Sequence, residues 1–146
     1  MLCRDVMTSH VISVQMDESV WKVRDLFEQH GFHHLIVLDG EEVKGVVADR
    51  DLLKNLSPFI GNPHMERPQD ERLLSRKVHQ IMARNPVTVR TNTPVDEAAQ
   101  VMLANRVSCL PVLSREGHLL GIVTWRDLLP LCFRNGDCDA AHDNAA

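Results

Sequence analysis

Gly45-Val46-Val47-Ala48-Asp49-Arg50-Asp51-Leu52-Leu53 and Gly121-Ile122-Val123-Thr124-Trp125-Arg126-Asp127-Leu128-Leu129 are two versions of one pattern, a glycine and a β-branched run followed by Arg-Asp-Leu-Leu. A buried strand that passes directly into an acidic-started helix has this form. Working back from it, Leu35-Ile36-Val37-Leu38 falls on Leu110-Pro111-Val112-Leu113, Ser19-Val20 on Pro94-Val95, Ile12-Ser13-Val14 on Val87-Thr88-Val89, and Val6-Met7 on Ile81-Met82. The second copy needs only an extra residue before Gly121 to keep register. Agreement of that length in the same order marks an internal duplication.

Each copy predicts a short strand, a helix, two strands and a second helix. In the first, Val11 to Val14 is β-prone, and Val20, Val23, Leu26 and Phe27 recur at helical spacing until Gly31. Phe32 and Leu35 to Leu38 then read as a strand, Asp39-Gly40 as a turn, Val43 to Val47 as a strand, and Asp49 to Leu53 as a helix start. In the second copy Thr93 predicts a cap and Pro94 the first helical position, with Asp96 and Glu97 in the first turn. The pattern predicts repeat 1 over 1–56, a Pro- and charge-rich linker over 57–77 with a possible helical turn at Leu73 and Leu74, repeat 2 over 78–133, and a polar, fraying tail over 134–146. A three-stranded sheet covered on one face cannot bury its other face alone. The expected fold is therefore α/β: two βαββα repeats packed sheet to sheet about a pseudo-twofold axis, with two related clefts.

Composition narrows the function. The chain has 146 residues, 44% hydrophobic and 25% charged, as in an ordinary soluble globular protein. Sixteen basic against twenty acidic residues give a net charge of −4, which excludes a general grip on nucleic acid, and aromatics at 4% with no Tyr leave few stacking platforms. No apolar run is long enough to span a membrane and no signal peptide is evident. Cys3, Cys109, Cys132 and Cys138 are scattered without a CxxC pair. A cytoplasmic location is expected.

The paired order of these segments, with Arg106-Val107-Ser108-Cys109-Leu110-Pro111-Val112 and Gly121 to Asp127, resembles the CBS domain, named after cystathionine β-synthase, over about residues 4–56 and 78–133. The resemblance implies a regulatory module that binds an adenosine-containing ligand (AMP, ADP, ATP or S-adenosylmethionine), acts in energy sensing through conformational change or dimer geometry, and controls an unidentified protein. It also implies that Asp127 and Asp51 accept hydrogen bonds from ribose hydroxyls, a match between an acceptor-only carboxylate and a vicinal diol. Only the Asp127 turn keeps the preceding hydroxyl, Thr124, where the first copy has Ala48. Carried over by position, His10, Ile12, Phe32 and His33 would hold the base of the Thr124–Asp127 cleft, and Asn85, Val87, Val107 and Ser108 that of the Asp51 cleft. Arg126 and Arg106, with Arg50 behind them, would reach phosphate.

Other readings stay beside this one. Thr124 to Asp127 also fits a capping box that needs no ligand, and the clefts could be vestigial in a pure protein–protein interaction module. His30 and His34 share a helical spacing that suits a metal, but Gly31 between them breaks the helix, so no metal site is expected. No GxSxG, HExxH or P-loop is present and Cys109 sits within a predicted strand, so an enzyme is not expected. Val20, Val23, Phe27, Val101 and Met102 form stripes broad enough to be shared between the core and the partner chain of an expected homodimer.

Overall fold

The computed structural model describes residues 1–53, 72 and 74–134. Most of the expected linker, 57–71 with Leu73, and the expected tail from 135 onward lie outside the described residues. The chain runs α1 (Cys3–Val6), β1 (Ser13–Gln15), α2 (Val20–His30), β2 (His34–Asp39), β3 (Glu42–Ala48), α3 (Asp49–Leu53), a 3-10 turn (Val78–Gln80), β4 (Ala83–Arg84), β5 (Val89–Arg90), α4 (Val95–Asn105), β6 (Cys109–Leu113), β7 (Leu119–Thr124) and α5 (Trp125–Arg134). This is the mixed α/β, twice-repeated order that the sequence predicts.

The compact units do not follow the sequence repeats end to end. The first spans Val11–Pro86; the second joins Met1–His10 to the chain from Val87 onward. Each repeat's opening segment therefore docks on the body of the other repeat, by the same bonds. In the first unit Val20 N–H donates to Arg76 O, Val78 N–H to Glu18 O and His79 N–H to Met16 O; in the second, Val95 N–H donates to Met1 O, Cys3 N–H to Thr93 O and Arg4 N–H to Thr91 O. The first unit's sheet has the order β1-β2-β3-β4, with β1 parallel to β2 and the others antiparallel. The second has β5-β6-β7, and Thr8 bridges Ile122 where β4 lies against β3 in the first.

Two glycines allow this docking. A Cβ on Gly45 would stand 2.7 Å from Met82 Sδ and 2.8 Å from Ala83 O, and one on Gly121 would stand 2.7 Å from Met7 Sδ and 2.9 Å from Thr8 O. Each methionine thus lies across the other repeat's strand, where only hydrogen fits. The cores match in position: Val14, Leu35, Val37, Val47 and Leu52 in the first unit, Val89, Leu110, Val112, Val123 and Leu128 in the second. Cys3 takes the place that Val78 takes in the first unit; burial, helped by the charge of Glu97, pushes its thiol up, so it stays protonated and packs as a small apolar residue.

Two expectations are corrected. Thr93 does not cap α4: its hydroxyl accepts from Arg90 N–H at 3.0 Å, and Met1 O takes the Val95 N–H instead. Pro94 is the N-cap residue rather than the first helical one, and α2 ends, as expected, at left-handed Gly31 with φ 65°. The stripes expected to be shared between core and partner go mostly to the core: Val20, Val23 and Met102 are buried, and Phe27 and Val101 pack against the clusters. Leu74, at the linker's end, is also buried in the first unit's core.

Candidate functional site: the strand-to-helix turns

In the second unit β7 delivers Thr124 to the start of α5. Asp127 Oδ2 accepts from the Thr124 backbone N–H at 2.7 Å and from the Thr124 hydroxyl at 3.1 Å. The capping box is thus half made. The carboxylate reaches back as predicted, while the hydroxyl turns to that carboxylate, the stronger, charged acceptor, rather than to a helix N–H. Trp125 N–H donates to Ser108 O at 3.2 Å, which ties the turn to the segment entering β6.

The first unit repeats the backbone plan. Asp51 Oδ2 accepts from Ala48 N–H at 3.0 Å and Asp49 N–H donates to His33 O at 3.0 Å. Here an ionisable bridge is added: His33 Nδ1 lies 2.7 Å from Asp49 Oδ2, while Asp49 Oδ1 accepts from Arg50 N–H at 2.7 Å. Burial works to raise the Asp49 carboxyl, but the hydrogen bonds from His33 and Arg50, with the charges of His33 and His34, hold it below the usual carboxylate range.

The predicted site residues divide between the units. Thr124, Arg126, Asp127, Arg106, Val107, Ser108, Val87 and His10 belong to the second; Ile12, Phe32, His33, Asp51 and Asn85 belong to the first. Val87 and Val107 pack against the second unit's core and Ile12 against the first's. Phe32 meets Phe27 edge-on at 5.7 Å and stacks with His30 at 5.4 Å. Exposed Arg126 sits over the neighbouring Trp125 ring at 5.4 Å, and Arg106 ends α4 in the left-handed region with φ 55°. Asn85 is exposed after β4, also at positive φ, 51°. Helix α2 stops at His30, and His34 lies in β2, so the two share no helical face.

Sequence reasoning missed two features. The His33–Asp49 bridge is one, although an acidic residue where the other repeat has Trp125 was a visible signal. The other is an apolar groove of about 480 Å³ between α4 and α5, lined by Ala99, Met102, Leu103, Trp125, Leu128, Leu129 and Cys132 with Arg106 and Ser108. Leu103 is 79% exposed and Leu129 48%, so among the described residues of its unit this face is apolar and open. Among the described residues no three His, Cys, Asp or Glu side chains gather to hold a metal, and no helix is long and apolar enough to cross a membrane.

Two units of one βαββα plan, each presenting an aspartate-closed strand-to-helix turn, define a tandem CBS-type protein. The CBS domain family model matches residues 3–58 and 78–132, and the chain belongs to that family. It is 36% identical over 135 residues to a CBS domain-containing protein of Dictyostelium discoideum, covering 91% of this chain and 92% of that one. Among solved structures it is similar to CBSX2 in complex with AMP (TM-score 0.73, 25% identity, 92% of this chain and 98% of that chain). The CBS domain pair of protein MJ0100, in complex with 5′-methylthioadenosine and S-adenosyl-L-methionine, has the same fold (TM-score 0.74, 22% identity, 92% and 98% covered).

Proposed function

We propose that this protein is a regulatory module that binds an adenosine-containing ligand at its strand-to-helix turns, first at the turn of Thr124 and Asp127. The observation that carries the reading is the pair of bonds from Thr124 to Asp127 Oδ2. They fix the carboxylate before a ligand arrives and use one oxygen, so Oδ1 can meet a ribose diol with no side chain left to order. Arg126 and Arg106 supply phosphate contacts, and Asp51 marks the weaker turn. The ligand is an adenine nucleotide, AMP, ADP or ATP, with S-adenosylmethionine as the alternative. AMP on the similar CBSX2 supports the first. The ligand is sensed rather than converted, which suits a cytoplasmic energy sensor acting on another protein.

The apolar face of Leu103, Trp125 and Leu129 favours self-association as the accompanying reading, beside the stripes that the core mostly absorbs. Stripped of carried-over ligand, the protein is to be melted with AMP, ADP, ATP, S-adenosylmethionine and NADH. Saturation near 100 Kd stabilises by about 2.7 kcal/mol. No shift with any of them at millimolar concentration overturns the ligand reading and leaves the interaction module; light scattering at 16.5 kDa, one chain, overturns the homodimer.

A further inference from the structure

The two turns share a backbone and differ in how their charge responds to protons. Asp49-Arg50-Asp51 holds two carboxylates and one guanidinium, whereas Trp125-Arg126-Asp127 holds one of each. The first turn is therefore one negative charge in excess, and the second is balanced. His33 stands on that excess, with Nδ1 2.7 Å from Asp49 Oδ2. At the matching place in the second unit, Ser108 accepts the same backbone bond from Trp125, and neither side chain ionises near neutrality. Histidine is the side chain whose charge changes between about pH 5 and 8. The Asp49 carboxyl is held below the usual carboxylate range and so is ionised throughout that span. The other charged groups are His34, whose charge acts on Asp49, and Arg50 and Asp51 on the turn; α2, which packs against α3, carries Lys22, Arg24, Asp25, Glu28 and His30, with Arg24 paired with Glu28 at 3.2 Å and Lys22 with Glu18 at 2.8 Å.

We propose that the His33–Asp49 pair is a proton-controlled selector, which admits a phosphate-bearing adenosine ligand to the first unit's turn when His33 is charged and disfavours it when His33 is neutral. The second unit's turn carries no ionisable pair in the corresponding place, where Ser108 and Trp125 stand. With His33 neutral, the ligand's phosphate meets an uncompensated Asp49 carboxylate; with His33 protonated that charge is cancelled. A single charge at a separation of several ångströms, in largely solvated surroundings, changes affinity by about three- to tenfold.

The inference rests on the proposed function, and the test separates the two. AMP is titrated calorimetrically into the full chain, His33→Gln and Asp49→Asn from about pH 5.5 to about pH 8.5. Comparing proteins at each pH cancels the ionisation of AMP itself. The expected result is two binding events in the wild type, the weaker losing about three- to tenfold relative to His33→Gln as pH rises, while Asp49→Asn, which lacks the carboxylate, binds there more tightly than the wild type at every pH. His33→Gln should match the wild type at the alkaline end and fall below it at the acid end. A ratio between wild type and His33→Gln that does not change with pH overturns the selector, as do Asp49→Asn binding no more tightly than the wild type and a single event at every pH. Absence of AMP binding in all three proteins overturns the proposed function and the selector together.

Discussion

At the end of β3, Ala48, Asp49, Arg50 and Asp51 lead into α3; at the end of β7, Thr124, Trp125, Arg126 and Asp127 lead into α5. In both, the aspartate takes the N–H of the residue three positions earlier, at 3.0 Å in one and 2.7 Å in the other. Closing the turn explains the aspartate in each without any ligand. What distinguishes them is the neighbours: a hydroxyl added to the carboxylate in the second, an imidazole set on an extra carboxylate in the first. A residue shared by duplicated turns reports architecture, and the residues that differ report chemistry.

The largest effect that can break this comparison is at the carboxylates. Asp127→Ala should weaken nucleotide binding by about 3 kcal/mol, since hydrogen bonds to a charged group contribute roughly 1.5–3 kcal/mol each. Asp51→Ala should cost less, and calorimetric titration of both variants decides the ranking. If Asp51→Ala proves the more damaging, the Thr124 hydroxyl does not set the order of the sites.

Next come the glycines under the methionines. Gly45→Ala and Gly121→Ala each drive a Cβ against a backbone carbonyl, Ala83 O or Thr8 O, and should destabilise by about 1–3 kcal/mol in thermal melting. Similar losses sharpen the view that the units are built alike; tolerance of one substitution breaks it.

The helix ends give a smaller, paired test. Gly31 and Arg106 occupy the same place at φ 65° and 55°, and nothing stands within 4 Å of a Cβ on Gly31. Gly31→Ala should therefore lose about 1 kcal/mol to backbone strain alone, while Arg106→Gly should be neutral or gain a few tenths, because relief of the left-handed penalty offsets the greater freedom that glycine gives the unfolded chain.

The smallest effect is electrostatic. Asp49 has its folded pKa lowered, so its contribution to stability is present above the unfolded value and is lost as pH falls through the folded one, in the acid range. With its side chain 36% exposed, water screens the pair to about 0.5 kcal/mol. Melting of Asp49→Asn against pH should be correspondingly flatter on the acid side, and an unchanged acid limb would show that the bridge adds nothing to stability.

Much of the fold was legible because its signals are local. Val20, Val23 and Phe27 recur at helical spacing and Gly31 stops them; Asp39-Gly40 makes the turn between β2 and β3, with Gly40 at φ 61°. The candidate turns were legible because duplication aligns Asp51 with Asp127. The Thr93 cap was misread because the sequence does not show that Met1 O already holds the Val95 N–H. How the stripe of Val20, Val23 and Met102 divides between core and partner was not legible, because periodicity says that a face is apolar, not which neighbour covers it.

By itself, then, the amino-acid sequence determined the duplicated βαββα order, the helix stops and the two aspartate turns, each written within a few neighbouring residues. Only the tertiary structure decided that Met7 lies on Gly121 and Met82 on Gly45, that each unit borrows its opening segment from the other repeat, and that His33 meets Asp49 across a separation of 16 residues. Those contacts join segments of two to four residues to distant partners. Such segments are too short to carry a period, so their conformation is set by the hydrogen bonds they find after the chain has folded.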